Sequence, residues 1–61
     1  MGLDKRTKEL VAVGAAIGAN CMPCIQWHSK KCFELGVTKP ELQEAMELAK
    51  AIARNVGDTR R

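Results

Sequence analysis

The segment Gly36-Val37-Thr38-Lys39-Pro40-Glu41 constrains this chain more than any other, because it sets a helix stop directly before a helix start. Glycine accepts the left-handed conformation that closes many helices. Thr38 with Glu41 three residues on forms a capping box, and Pro40 suits the first turn of the helix that follows. A second break lies upstream, where Asn20 can end one helix and Pro23 can open another. Asp4 is a good N-cap for the first helix, and Gly57 marks the expected end of the last. The punctuation therefore predicts three helices, over about 4–20, 23–35 and 39–56. Composition agrees: 46% of residues are hydrophobic but only 3% aromatic, so the apolar content is mostly Ala, Val, Leu, Ile and Met. That mixture favours closely packed helices over a sheet. The expected fold is all-α, a three-helix core unit in a single domain spanning 1–61, without internal repeat, linker or low-complexity segment.

Apolar residues recur at helical spacing. In the first helix Leu10, Val13 and Ile17, with the small Gly14 and Ala16, form one stripe; in the third, Leu42, Ala45, Met46, Ala49, Ile52, Ala53 and Val56 form another. Gly14 and Gly18 each cost about 1 kcal/mol of helix propensity. Either a second backbone comes close there or packing simply tolerates them. A chain of 61 residues buries only about 60% of the surface its unfolded form exposes. Apolar burial at this size roughly balances ordering entropy, so a disulfide, a metal or other subunits must contribute. A homo-oligomer is expected, with Gly14 and Gly18 as a close-contact seam.

Charge excludes one class of partner. The formal charge of +3 falls to +1 without Arg60 and Arg61 on the expected tail, too little to argue for nucleic acid. No apolar run approaches the roughly 20 residues of a membrane span, and the N-terminus lacks a secretory pattern. The expectation is a soluble, cytoplasmic protein without nucleic-acid or membrane partners. Its three cysteines are odd in number and lack the spread spacing of a secreted disulfide framework.

Two of those cysteines make up Cys21-Met22-Pro23-Cys24, with His28 four residues further on. Residues three or four apart share a helix face, so Cys24 and His28 point the same way and Cys21 stands just before them. Only the thiolate is nucleophilic, and both a helix N-terminus and an adjacent histidine favour it. A sulfur nucleophile with a second thiol two residues away can attack a peroxide or a disulfide and then be captured as an intramolecular disulfide. No bound cofactor is needed. Glu9 lies twelve positions before Cys21, about 16 Å of helix from Asn20. If the first two helices are antiparallel, its carboxylate can reach His28; otherwise it is a solvated helix residue.

Other readings of the same residues remain open. Cys21, Cys24 and His28 could ligate zinc in a small helical module, or the cysteines could be incidental to a helical interaction domain. Adding Cys32 to a zinc site is disfavoured, since it lies eight residues from Cys24, about 12 Å along a continuous helix. Cys32 reads better as a small buried apolar residue, or secondarily as a reactive thiol. Trp27 reads as core or interface packing, or as a substrate platform.

With Glu9, Cys21, Cys24 and His28 assembled, the spacing E-x(11)-C-x-x-C-x-x-x-H resembles the signature of the alkylhydroperoxidase D branch of the carboxymuconolactone decarboxylase family. The run from Leu3 to Ala12 resembles that family's approach to the motif. Gly36-Val37-Thr38 with Glu41, Leu42, Glu44 and Ala45 resembles its following turn and helix, so the likeness covers roughly Leu3 to Ala53. The resemblance implies a helical oligomer, often a trimer or hexamer, with thiol-dependent peroxidase or disulfide reductase activity. It implies that Cys24 attacks peroxide through a sulfenic acid, that Cys21 donates a proton and closes the disulfide, and that His28 and Glu9 relay the proton. The partners implied are a peroxide or disulfide substrate and a thiol electron donor. The paired cysteines weigh against lactone decarboxylation. Family members usually carry helices ahead of the motif helix that wall the pocket; here either neighbouring subunits supply that wall or the pocket is open and peroxidase efficiency is low, and Cys32 stands where a small residue such as alanine is usual.

Overall fold

Asp4 holds an extended backbone (φ −78°, ψ 171°), and its carboxylate accepts a hydrogen bond from the Thr7 amide at 2.7 Å, which starts helix α1 at Lys5–Gly18. The structure is a computed structural model that describes residues 2–59, with side chains through Asn55. Two more helices follow, α2 at Met22–Glu34 and α3 at Lys39–Thr59, and no strand occurs among the described residues. The all-α, three-helix expectation holds. Arg60, Arg61 and the Val56 side chain lie outside the described residues.

Both inter-helix turns use the same device. Asn20 sits at φ +55°; its amide donates to the Ile17 carbonyl at 3.0 Å, and the Cys21 amide donates to the Ala16 carbonyl at 3.0 Å. These are the paired bonds of a Schellman motif. Gly36 repeats it at φ +89°, with its amide on the Phe33 carbonyl (3.1 Å) and the Val37 amide on the Cys32 carbonyl (3.0 Å). In the second turn Val37 and Cys32 are also both buried, the apolar contact that accompanies the motif.

The boundaries differ from expectation for local reasons. Asp4 is the cap and not the first helical residue, and the left-handed Asn20 stops α1 before 20. α2 begins one residue early because Cys21 is its N-cap, placing Pro23 second in the first turn. α3 runs through Gly57 to Thr59. A lone glycine costs about 1 kcal/mol and does not by itself end a helix.

α1 is the central element, packed along both α2 and α3, which barely touch each other. Val13 and Cys32 are fully buried, Val37 and Leu42 nearly so, and Leu10, Ile17 and Met46 pack against them. The α3 stripe is only partly realised within one chain. Leu42 is buried and Ala45, Met46, Ala49 and Ala53 are half-buried, but Ile52 is 55% exposed because no helix lies over it. The α1 glycines meet no second backbone: a Cβ at Gly14 would lie 4.0 Å from the Ala49 Cβ, and one at Gly18 would meet nothing within 4 Å.

The capping box of α3 forms as expected. The Thr38 amide donates to Glu41 Oε1 at 2.9 Å and the Glu41 amide donates to the Thr38 hydroxyl at 3.3 Å. Arg6 of α1 also pairs with Glu41, tying the starts of α1 and α3 together. The Thr38 amide first, then the Arg6 guanidinium, draw the Glu41 carboxyl down to about 2. A depressed folded-state value means that these bonds add stability above the unfolded carboxyl's range, near 4.5, and that the contribution fades as pH falls towards 2. Thermal melts followed by circular dichroism should therefore show an acid-labile component between those values. Glu41→Gln should shrink it, the remainder coming from Asp4, whose carboxyl its bonds to Thr7 also lower; an unchanged acid profile in that variant would contradict the assignment.

Candidate functional site

The turn that ends α1 also fixes the first cysteine. The Cys21 amide is tied to Ala16, and the Cys21 carbonyl accepts the first bond of α2, from Ile25 at 3.0 Å. Cys21 is thus the N-cap of α2, with no hydrogen bond from its side chain to the helix, and Cys24 is the third residue of the first turn. The first amides of a helix lack intrahelical partners and carry partial positive charge. A thiolate formed at Cys24 on reduction would sit in that field. The two sulfurs are joined as a disulfide, with Cα atoms 5.3 Å apart.

α1 and α2 run antiparallel, so the second turn of α1 lies beside the middle of α2. Glu9 Oε1 and His28 Nδ1 are 2.7 Å apart, a half-buried contact between residues nineteen apart in sequence. This is the geometry expected of an antiparallel pair. With the carboxylate ionised, Nδ1–H donates to it, and in the neutral ring Nε2 then keeps its lone pair. That tautomer suits a group that takes a proton from a thiol. His28 stands one turn below Cys24 on α2, and both are half-buried. Among the described residues, no hydrogen bond joins the ring to either sulfur of the closed disulfide. The structure thus brings together Glu9 with His28 and Cys21 with Cys24, as two adjoining pairs.

Cys32 belongs to the core instead. It is fully buried, and burial first, then the Glu9 charge, push its thiol up from the ordinary value. A thiol held in its protonated form is a poor nucleophile, which fits the small-apolar reading. Among the described residues, no three His, Cys, Asp or Glu side chains are grouped so as to hold a metal ion. The uninterrupted α2 keeps Cys24 and Cys32 apart.

Trp27 is not core within this chain. It is 56% exposed, with its ring set edge-on to His28 (centroids 4.9 Å apart, planes at 84°) and the Lys31 ammonium 5.0 Å from its centroid. It borders a groove of about 410 Å³ between α1 and the second half of α2. Motif spacing does not point to the lysines around this groove. Lys31 alone has a signal, the run Cys24, Trp27, His28, Lys31 at i, i+3, i+4 and i+7 on one helix face; Lys5 and Lys8 have none.

Against known families, residues 1–60 match the model for the carboxymuconolactone decarboxylase family. The chain belongs to that family. It is also similar to a Paracoccus denitrificans protein described as "Uncharacterized protein 4 in cox locus", with 43% identity over 47 residues, covering 77% of this chain. The chain spans 42% of that relative's length. No solved structure matches. A carboxymuconolactone decarboxylase-family fold carrying a cysteine pair at bonding distance is compatible with a redox role. Among the described residues, no helix is long and apolar enough to cross a membrane.

Proposed function

We propose that this chain is a thiol-dependent oxidoreductase of the alkylhydroperoxidase D-like branch of its family, cycling Cys21 and Cys24 between dithiol and disulfide. The observation that carries the reading is the adjoining of the disulfide at the start of α2 and the Glu9-bound His28 one turn below it. In the reduced state the Cys24 thiolate attacks the outer oxygen of a hydroperoxide. The O–O bond breaks, Cys24 becomes a sulfenic acid, and the alkoxide takes the proton that Cys24 had first given up to His28 and leaves as the alcohol. Cys21 then gives its proton to His28, whose charge Glu9 balances, and attacks the Cys24 sulfur; hydroxide departs with that proton as water. One hydroperoxide and two thiols become one alcohol, one water and one disulfide. A thiol electron donor restores the dithiol by exchange. Reduction of a disulfide substrate uses the same two sulfurs, and no metal or organic cofactor enters.

Mild peroxide on the reduced protein should remove two protons from the peptide bearing Cys21 and Cys24, as read by mass spectrometry. A pair inert both to peroxide and to dithiol exchange would end the redox reading. The zinc alternative lacks a converging ligand set among the described residues.

The reading includes a homo-oligomer, a trimer or hexamer, acting in the cytoplasm. Its support is the groove of about 690 Å³ between α1 and α3, floored by Gly14 and Gly18 and rimmed by Val11, Leu48 (63% exposed) and Ile52. One chain alone leaves that apolar surface wet, and contiguous apolar patches of this kind mark protein contacts. Sedimentation at micromolar concentration should give a species several chains in size; a folded monomer would contradict it.

A further inference from the structure

The groove beside the imidazole is built differently from the apolar one. Its α1 wall carries Lys5, Lys8 and Glu9, and its α2 wall carries Trp27, Lys31, Glu34 and Leu35. Both carboxylates are engaged, Glu9 with His28 at 2.7 Å and Glu34 with Lys31 at 3.6 Å. Lys5 and Lys8 have no ion pair among the described residues, so the groove presents free positive charge. The exposed Trp27 ring and the partly exposed Leu35 add apolar surface on the same floor.

These features are ordered along α2. Cys24 is at the head, Trp27 and His28 lie one turn down, and Lys31 lies one turn further, about 10 Å of helix from the sulfur. Cys24 lies outside the groove lining, at the head of the same helix face, so a molecule seated on the ammonium groups extends over Trp27 towards the sulfur. A volume of about 410 Å³ is that of a small-molecule cleft. A small inorganic anion would leave Trp27 unused, and an uncharged hydrocarbon would leave the lysines unused.

We propose that this groove binds the chain and carboxylate of an amphiphilic anion, so that the preferred oxidised substrate is a hydroperoxide bearing an apolar chain and a carboxylate. The assignment rests on the redox reading above. Trp27 holds the chain; the unpaired Lys5 and Lys8, with Lys31 beside them, hold the carboxylate. These are positioning residues, and the bond changes are those already written: the O–O bond breaks, the two sulfurs join, and alcohol and water leave.

Trp27 is the one tryptophan of the chain, so its fluorescence reports the groove directly. Titration of the reduced protein with decanoate should give a saturable change, and decanol, equal in chain length but uncharged, should bind about tenfold more weakly. The difference should shrink in 1 M salt, where screening acts within about 3 Å, and in the Lys5→Gln/Lys8→Gln variant. Equal binding of decanoate and decanol, or no saturable change with decanoate, would overturn the proposal. A turnover arm compares a hydroperoxy fatty acid, its methyl ester and hydrogen peroxide. The acid should exceed the ester about tenfold in kcat/KM at low salt, and the double lysine variant should lose that ratio. If hydrogen peroxide oxidises the pair while acid and ester react alike, the substrate assignment fails and the redox reading stands. If none of the three oxidises the pair, both fail, even should decanoate bind.

Discussion

Replacing Cys24 with serine is expected to cut peroxide-dependent thiol consumption by about three orders of magnitude or more, the scale of losing a covalent nucleophile. The reason lies in position as well as atom type. Cys24 is the third residue of the first turn of α2, where unpaired amides favour an anion. A serine hydroxyl there stays protonated at neutral pH and has no sulfenic acid to form. Cys21→Ser should behave differently: one equivalent of peroxide is consumed and the reaction halts, with a sulfenic acid on Cys24 that a dimedone-type trap can label. A Cys24→Ser protein within about tenfold of the parent rate would refute the assignment of roles.

Leu42→Ala should come close to unfolding the chain. Leu42 is one of five buried hydrophobic residues among the described residues, and it packs from α3 onto Val13 and Cys32. Removing such a side chain costs about 2–5 kcal/mol. A chain of this length has in total about 3–9 kcal/mol, at 0.05–0.15 kcal/mol per residue. Phe33→Ala should cost far less, since Phe33 is already half in solvent. Urea titrations at one fixed protein concentration decide the point, because association would stabilise any variant by mass action. An unfolding midpoint for Leu42→Ala equal to that of the parent would mean that the core is wrongly described.

Much of this architecture is legible in the residues because its signals are local. Asp4, Asn20, Gly36 and the Thr38–Glu41 box each act through hydrogen bonds within a few positions, so each reads without knowing where the other helices lie. Glu9 was legible for a different reason: antiparallel α1 and α2 have equal rise per residue, so counting back from the turn gives its partner. What local patterns do not carry is which stripe finds a cover. Ile52 belongs to the apolar face of α3 by spacing, yet α1 reaches only part of that face and leaves it exposed. Trp27 has the composition of a core residue, but its place on α2 is set by Cys24 and His28 and turns it outward. Arg6 and Glu41, thirty-five residues apart, pair only because α1 and α3 begin side by side.

Cys32 carries a consequence for the whole cycle. A chain with three cysteines has three ways to join two of them, and wrong pairings would strand the protein after its first oxidation. Burying Cys32 in hydrocarbon, as its thiol, leaves Cys21–Cys24 as the one pairing within the chain whose sulfurs are both reachable from solvent. If the pair cycles as proposed, packing alone selects the partner sulfur, without any chaperone for the bond.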